Sequence, residues 1–467
     1  MMEPKATQML VDIEMLRRYD RPGPRYTSYP TAPNFSSDFG ADEFIDEIIR
    51  SNRADHPANL SLYFHLPFCE KLCYFCGCTM LITHNRNRLD VYLDYLSKEI
   101  SIIGKKIAAG RKVAQLHWGG GTPTYLDAGQ IRRIFSVIRD NFDFTDDAEI
   151  GVEIDPRALS EENLDALKEV GFNRASMGVQ DFEQKVQVAI NRVQTEKLTR
   201  WAFDGLRHRG FESINLDLIY GLPYQTVHSF EQTLDRIINI SPDRLAIFNY
   251  AHVPWLKKHQ QVIDETALPE PSEKLKILKL TIEKLTAAGY VYIGMDHFAK
   301  PDDSLTKAFH EKKLYRNFQG YSTHSDCDLY AMGMSSISQL ESVYAQNVKT
   351  LPRYYEAIDR NTLAVERGYR LNDDDQIRRY TITKLMCDLE LDQGKIEEKF
   401  DISFENYFED AFRQLQGFRD DGLLKFSKRK ITVTETGHLL IRNIAMAFDS
   451  YLQKDRLKDT PIYSRTI

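Results

Sequence analysis

Four of the chain's six cysteines fall within ten residues, in Phe68-Cys69-Glu70-Lys71-Leu72-Cys73-Tyr74-Phe75-Cys76-Gly77-Cys78. Disulfides between such near neighbours would be badly strained, so the spacing favours one small inorganic centre wrapped by the loop. Cys69-x3-Cys73-x2-Cys76 lacks the paired C-x2-C halves of structural zinc sites. It suits three thiolates holding three corners of an iron–sulfur cube. Three ligands leave one iron open to an amino acid's amino and carboxylate groups, whereas Cys78 as a fourth ligand would close the cube for electron transfer. Spacing alone leaves both arrangements standing.

Leu60 to Leu66 reads as a strand running straight into this loop, and the unit recurs. Strand-like segments follow at Val113 to Trp118, Glu149 to Asp155, Asn173 to Gln180, Phe211 to Tyr220 and Arg244 to Tyr250, each separated from the next by one helical segment. In the first helix Tyr92, Leu93, Leu96 and Ile100 share a face. Such a rhythm gives a parallel sheet with right-handed crossovers, an α/β fold whose expected form is a partial (β/α) TIM-like barrel of about six βα units. The loops at the C-terminal ends of the strands then converge over one mouth. The expected division is 1–58 as an N-terminal arm and cover, 59–300 as the barrel with the cysteine loop, 301–372 as barrel completion and connection, and 373–467 as a mainly helical C-terminal domain with a small hairpin formed by Gly422 to Phe426 and Lys430 to Thr434.

Within the arm, Arg21-Pro22-Gly23-Pro24-Arg25-Tyr26-Thr27-Ser28-Tyr29-Pro30 is too proline-rich for a regular helix. It is either a surface linker or a cover whose Arg21 and Arg25 meet carboxylates at the barrel mouth. A net charge of −7 argues against nucleic acid as a partner, so anionic ligands need dedicated arginines. No apolar run is long enough to cross a bilayer, and Met1 to Arg18 has no signal-type core; a cytoplasmic protein with reduced thiols is expected. The absence of a long heptad pattern points to a monomer.

Other residues at strand ends carry chemistry. Gly119-Gly120-Gly121-Thr122-Pro123 can bring bare backbone N–H and C=O groups close to a ligand, although alone it also describes a tight turn. Glu153 and Asp155 project to one face of their strand and need a cation, hydroxyls or an arginine such as Arg157 if they face the barrel interior. Gln180, Arg192 and Asp217 supply an amide, a fixed cation and an acceptor, or else local caps and ion pairs. Tyr63 and Phe75 could stack on a base or join the core. His65, His117 and His297 have apolar neighbours and read as hydrogen-bonded core groups.

Assembled, these features resemble the radical S-adenosylmethionine enzymes. Pro24 to Thr31, Cys69 to Cys78, Leu116 to Tyr125, Ser176 to Phe182 and Asp217 to Pro223 are similar to the oxygen-independent coproporphyrinogen III oxidase family, a resemblance running from Arg21 to about Asp449. It implies that Cys69, Cys73 and Cys76 ligate a 4Fe-4S cluster with Cys78 a neighbouring thiol and candidate auxiliary group. It also implies two S-adenosylmethionine molecules, the first bound by Tyr63, Gly120, Glu153 and Ile337, the second by Phe75, Gly121, Thr122, Gln180, Arg192, Asp217 and Ala251. The implied reaction converts two propionates of coproporphyrinogen III to vinyl groups, giving protoporphyrinogen IX in haem biosynthesis. The cofactor supplies a 5′-deoxyadenosyl radical, an unidentified donor supplies electrons, and no protein catalytic residue is assigned. Rival readings are a haem chaperone that keeps the cluster, a radical enzyme modifying RNA, and a structural zinc protein. The first is disfavoured by the presence of both the Pro24 to Ala32 arm and the Cys76-Gly77-Cys78 ending.

Overall fold

The computed structural model describes residues 8–55, 57–452 and 463–466. Six strands repeat along the first part of the chain: β1 (Asn59–Leu66), β2 (Val113–Gly120), β3 (Phe144–Ile154), β4 (Arg174–Gln180), β5 (Ser213–Tyr220) and β6 (Arg244–Asn249). Each pairs in parallel with the next. Alternation explains their two faces. In β5, Ile214, Leu216, Leu218 and Tyr220 are buried, while Asn215, Asp217 and Ile219 between them are only partly so. Successive strand side chains point to opposite faces, so the apolar set packs outward on helices and the polar set lines an inner space, the lumen.

The helices are stopped and started by local chemistry. Asp127 caps Ala128–Asn141 reciprocally with Gln130, and Ser160 caps Glu161–Val170, which ends at Gly171 in the left-handed region (φ 111°). One helix per crossover was expected, but β4 and β5 are joined by two, Gln184–Ala189 and Glu196–His208. The shorter one has too few residues to carry a periodic pattern.

Further strands extend the sheet on both sides: β7 (Val291–Gly294), β8 (His297–Ala299), β9 (Cys327–Met332), β10 (Ile337–Gln339), β11 (Val343–Asn347) and β12 (Val365–Arg370). The order is β12-β11-β10-β9-β1-β2-β3-β4-β5-β6-β8-β7. β9 runs parallel to β1 and adds a seventh strand to the parallel part, while the outer strands are antiparallel. The two ends of this sheet do not pair with each other, which leaves a partial barrel.

Helices Ile13–Tyr19 and Ala41–Ser51 flank the proline-rich arm. The C-terminal region holds helix Asp373–Asp388 and a hairpin, Leu424–Ser427 with Lys430–Val433, joined by Glu390–Asp392 into a three-stranded sheet. Arg442 ties the two ends of the chain together. Its guanidinium donates to Pro24 O at 2.7 Å, to Arg465 O at 3.0 Å and to Gly23 O, while Tyr26 OH donates to Asp449 Oδ2 at 2.9 Å. Among the described residues no helix is long and apolar enough to cross a membrane.

Candidate active site

β1 ends at Leu66, and the cysteine loop follows over the lumen's mouth. Other strand-end loops hold it. Tyr74 N–H donates to Ile190 O at 3.0 Å and Asn191 Nδ2 to Leu72 O at 2.7 Å, both from the segment after β4. From the segment after β6, Lys257 donates to Cys78 O at 3.1 Å, His259 to Cys76 O at 2.7 Å and Gln260 to Phe75 O at 3.1 Å. Tyr74 and Phe75 pack on Val186, Ile190, Leu222, Tyr250 and Ile263, a small apolar cluster separate from the main core. The supports at Asn191, Lys257, His259 and Gln260 escaped sequence reasoning because they are lone polar residues in irregular segments with no local pattern.

Each ligand-type thiol has its own surroundings. Thr122 Oγ1 donates to Cys69 Sγ at 3.2 Å, while Arg157 and Arg192 approach Cys73 Sγ at 3.2 Å and 3.7 Å. Asp155 holds both guanidinia, with Arg157 Nη2 at 2.7 Å and Arg192 Nη1 at 3.0 Å. Burial opposes the Asp155 charge, but Arg192 and Arg157 outweigh it and hold the carboxyl down at about 2. Burial pushes the Cys69 thiol up to about 12, aided by the nearby charges of Cys76 and Cys73. A hydrogen bond from Cys78 brings Cys76 down to about 6 against its burial, and raises Cys78 itself.

The glycine loop fits where side chains cannot. Gly121 N–H donates to Leu66 O at 2.9 Å and Thr122 N–H to Phe68 O at 2.9 Å. A Cβ on Gly121 would lie 2.6 Å from the Pro67 carbonyl carbon and oxygen; one on Gly120 (φ 115°) would lie 2.6 Å from the His65 ring. Gly120 N–H donates to Glu153 Oε2 at 3.0 Å, and His117 Nε2 stands 3.6 Å from Glu153 Oε1. Tyr63 stacks on His117 with ring centroids 6.2 Å apart and gives a hydrogen bond to His65 Nδ1 at 3.2 Å.

The Glu153 side chain is 44% exposed, yet burial is the largest influence on it, outweighed by His117 and the Gly120 N–H so that its carboxyl is lowered. Exposed and desolvated together mean that it faces an enclosed space. Cys78 behaves alike, exposed but raised by the Cys76 bond, by burial and by Glu153. Asp217 accepts from Ser176 Oγ at 3.1 Å and Asn215 Nδ2 at 2.6 Å. Burial and then the Glu153 charge push it up to about 6.

The remaining candidates sit around this space. Gln180 ends β4 with φ 70°, at a register shift against β5, and Arg192 Nη2 donates to Gly178 O at 2.7 Å. Ala251 follows β6 and its carbonyl accepts from Gln260 at 3.3 Å; Ile337 begins β10. His117 and His297, expected as core groups, are partly exposed on the inward face because they alternate with outward apolar residues. His65 is buried and donates to Thr79 O at 2.9 Å. Arg25 pairs with Asp296, and its guanidinium lies 5.6 Å from the Phe248 ring centroid. The Arg21 backbone is hydrogen-bonded to Thr466.

Comparisons with known proteins bear on this arrangement. A family model described as Radical SAM superfamily matches residues 63–237, and one described as HemN C-terminal domain matches 371–440. Oxygen-independent coproporphyrinogen III oxidase of Escherichia coli (strain K12) is 49% identical over 98% of each chain. The chain belongs to the oxygen-independent coproporphyrinogen III oxidase family. The Pseudomonas aeruginosa member is 46% identical over 94% of this chain and 96% of its own. The solved structure of coproporphyrinogen III oxidase (HemN) from Escherichia coli, described as a radical SAM enzyme, superposes with a TM-score of 0.90 at 48% identity, covering 95% of this chain and 100% of that one.

The family's cofactors are a 4Fe-4S cluster and S-adenosylmethionine, and the donor set here fits them. The neighbouring charges of Cys76 and Cys73 help to raise the Cys69 thiol, a conflict that a cationic cluster relieves. Among the described residues no three His, Cys, Asp or Glu side chains converge closely enough for a single metal ion. Beside the thiols, the bare Gly120–Gly121 backbone and the Glu153 and Asp217 carboxylates are acceptors of the kind that the cationic sulfonium, amino and ribose groups of S-adenosylmethionine would take.

Proposed function

We propose that this chain oxidatively decarboxylates two propionate groups of coproporphyrinogen III to vinyl groups, yielding protoporphyrinogen IX without oxygen. The observation that carries this is one lumen with the cysteine loop and two carboxylates, Glu153 and Asp217, on one side and the arm's Arg25 on the other. When bound, the cluster and S-adenosylmethionine would supply a 5′-deoxyadenosyl radical for the propionate β-hydrogen, after which the carboxylate leaves as carbon dioxide and the one remaining electron passes to a one-electron acceptor.

Cys69, Cys73 and Cys76 hold the cluster, and Cys78 stands beside it facing the lumen. Arg157 and Arg192, fixed by Asp155, direct N–H groups at the Cys73 sulfur. Tyr63, Gly120, Glu153 and Ile337 orient one S-adenosylmethionine; Phe75, Gly121, Thr122, Gln180, Arg192, Asp217 and Ala251 orient a second. Glu153 stays ionised through the Gly120 N–H and His117, so it can accept from the ligand. The arm closes the lumen against water and brings Arg25 to a substrate carboxylate. The protein works as a cytoplasmic monomer fed by a separate electron donor.

The test is anaerobic. Cluster-loaded protein with coproporphyrinogen III, S-adenosylmethionine and a reductant should yield protoporphyrinogen IX, with one 5′-deoxyadenosine for each vinyl group formed. A fully loaded protein that makes no porphyrin product refutes the assignment.

A further inference from the structure

A second guanidinium stands beside Arg25 that the proposed site does not use. Arg316 lies on the hairpin Tyr315–Asn317/Gly320–Ser322 and is only 5% exposed. Its Nε donates to Arg25 O at 3.1 Å, its guanidinium lies 4.8 Å from the Tyr321 ring centroid, and its Nη1 has no hydrogen-bond partner. Among the described residues Arg316 forms no ion pair with a carboxylate, whereas Arg25 has Asp296 and Arg244 has Asp303.

Arg316 and Gln339, whose Nη1 and Oε1 have no hydrogen-bond partner, both line a cavity of about 10 Å³ together with Tyr26, Ser28, Tyr315 and the cationic Arg379. That space has room for at most one water, which would not neutralise the charge. An uncompensated buried cation is costly, and a neighbouring cation makes it more so. The surroundings register the excess. Burial and then Arg442 and Arg316 bring Arg25 down to about 9, and burial followed by Arg316, Arg25 and Arg244 brings His297 down to about 3. His297 connects these groups to the lumen, with its ring 5.5 Å from Tyr321 and 6.0 Å from Phe248, the ring beneath Arg25. Arg25, Arg244 and Arg316 thus gather on the β6–β8 side, and of the three only Arg316 lacks a carboxylate partner among the described residues.

We propose that Arg316, together with Arg25, is the seat for a carboxylate of the porphyrinogen, one held for positioning while a different propionate reacts. This rests on the substrate assigned above. Arg316 acts as a binding and orienting residue, and its anchorage to Arg25 O couples the seat to the arm that covers it. A four-carboxylate substrate neutralises in the complex a charge that the free protein leaves buried.

The probe is coproporphyrin III, the stable fluorescent oxidised form with the same four propionates, titrated into cluster-loaded protein. Wild type should bind it at least tenfold more tightly than its tetramethyl ester; equal affinities overturn the proposal without any mutant. Arg316→Gln should lose at least tenfold in affinity for the acid and little for the ester, while S-adenosylmethionine binding holds. Arg316→Lys, which keeps the charge, should recover part of the loss. In turnover the Gln variant should raise KM for coproporphyrinogen more than it lowers kcat. A Gln variant that binds the acid as wild type does, or loses acid and ester equally, refutes the seat. Binding is read without turnover, so failure of the decarboxylation in wild type would count against the assigned function and leave this measurement to stand separately.

Discussion

Replacing Gly121 with alanine tests how the glycine loop and the cysteine loop depend on each other. The added Cβ would sit 2.6 Å from both the carbon and the oxygen of the Pro67 carbonyl, about 1 Å inside the normal separation of about 3.5–4.0 Å. Both obstacles are backbone, so no side chain can swing away. Relief requires the Pro67–Phe68 segment to move, which breaks the Gly121 N–H bond to Leu66 O and the Thr122 N–H bond to Phe68 O. Two lost backbone bonds at about 1 kcal/mol each and overpacking of about 1–3 kcal/mol give a cost of about 3–5 kcal/mol. The same shift pulls Thr122 Oγ1 from Cys69 Sγ, now 3.2 Å away. Gly121→Ala should therefore melt earlier and retain less iron and sulfide after anaerobic reconstitution. Gly77→Ala is the internal control, since a Cβ there meets nothing within 4 Å, and it should keep its cluster. A Gly121→Ala protein with a full cluster and wild-type melting would refute the reasoning.

Other outcomes follow from the same geometry. Asp155→Asn leaves Arg157 and Arg192 without their shared charge and should cost about 3–5 kcal/mol in unfolding free energy together with cluster retention; unchanged denaturant midpoints would contradict it. Asp217, pushed up to about 6 by burial and then Glu153, is easier to ionise in the unfolded chain, so it lowers stability as pH rises from about 4 through 6. Asp217→Asn should raise the melting temperature at pH 8 without S-adenosylmethionine and flatten that pH dependence, and a lower melting temperature at pH 8 would reverse the sign of the account. Arg442→Ala removes the bonds to Gly23, Pro24 and Arg465 carbonyls and should make the arm the first site of limited proteolysis; equal protection in mutant and wild type would show that other contacts hold it.

The parallel core of the fold was legible because its signals are local. Alternation in Ser213–Tyr220 shows both faces of the strand, and Gly119-Gly120-Gly121 marks a turn that the structure uses for close approach. β9 was not legible. Cys327–Met332 has its reason in pairing with β1, more than 260 residues earlier in the chain, and nothing inside the segment declares that partner. The site divides likewise. Cysteine spacing and strand-end acids mark their own positions, whereas the Asp155–Arg157–Arg192 approach to Cys73 and the His259 bond to Cys76 exist only where separate loops meet. His117 misled for a physical reason. Apolar neighbours in a strand signal the outward face of those neighbours, and the residue between them points into the lumen.

The central claim is that the lumen holds a propionate β-carbon against a radical generated beside the three-cysteine loop. Coproporphyrinogen III deuterated at the propionate β-positions, turned over anaerobically by cluster-loaded protein, measures it directly by mass spectrometry of the 5′-deoxyadenosine released. The account requires that each 5′-deoxyadenosine formed with a vinyl group carries deuterium, and that Cys73→Ser gives neither product. Protoporphyrinogen IX appearing alongside unlabelled 5′-deoxyadenosine would contradict it.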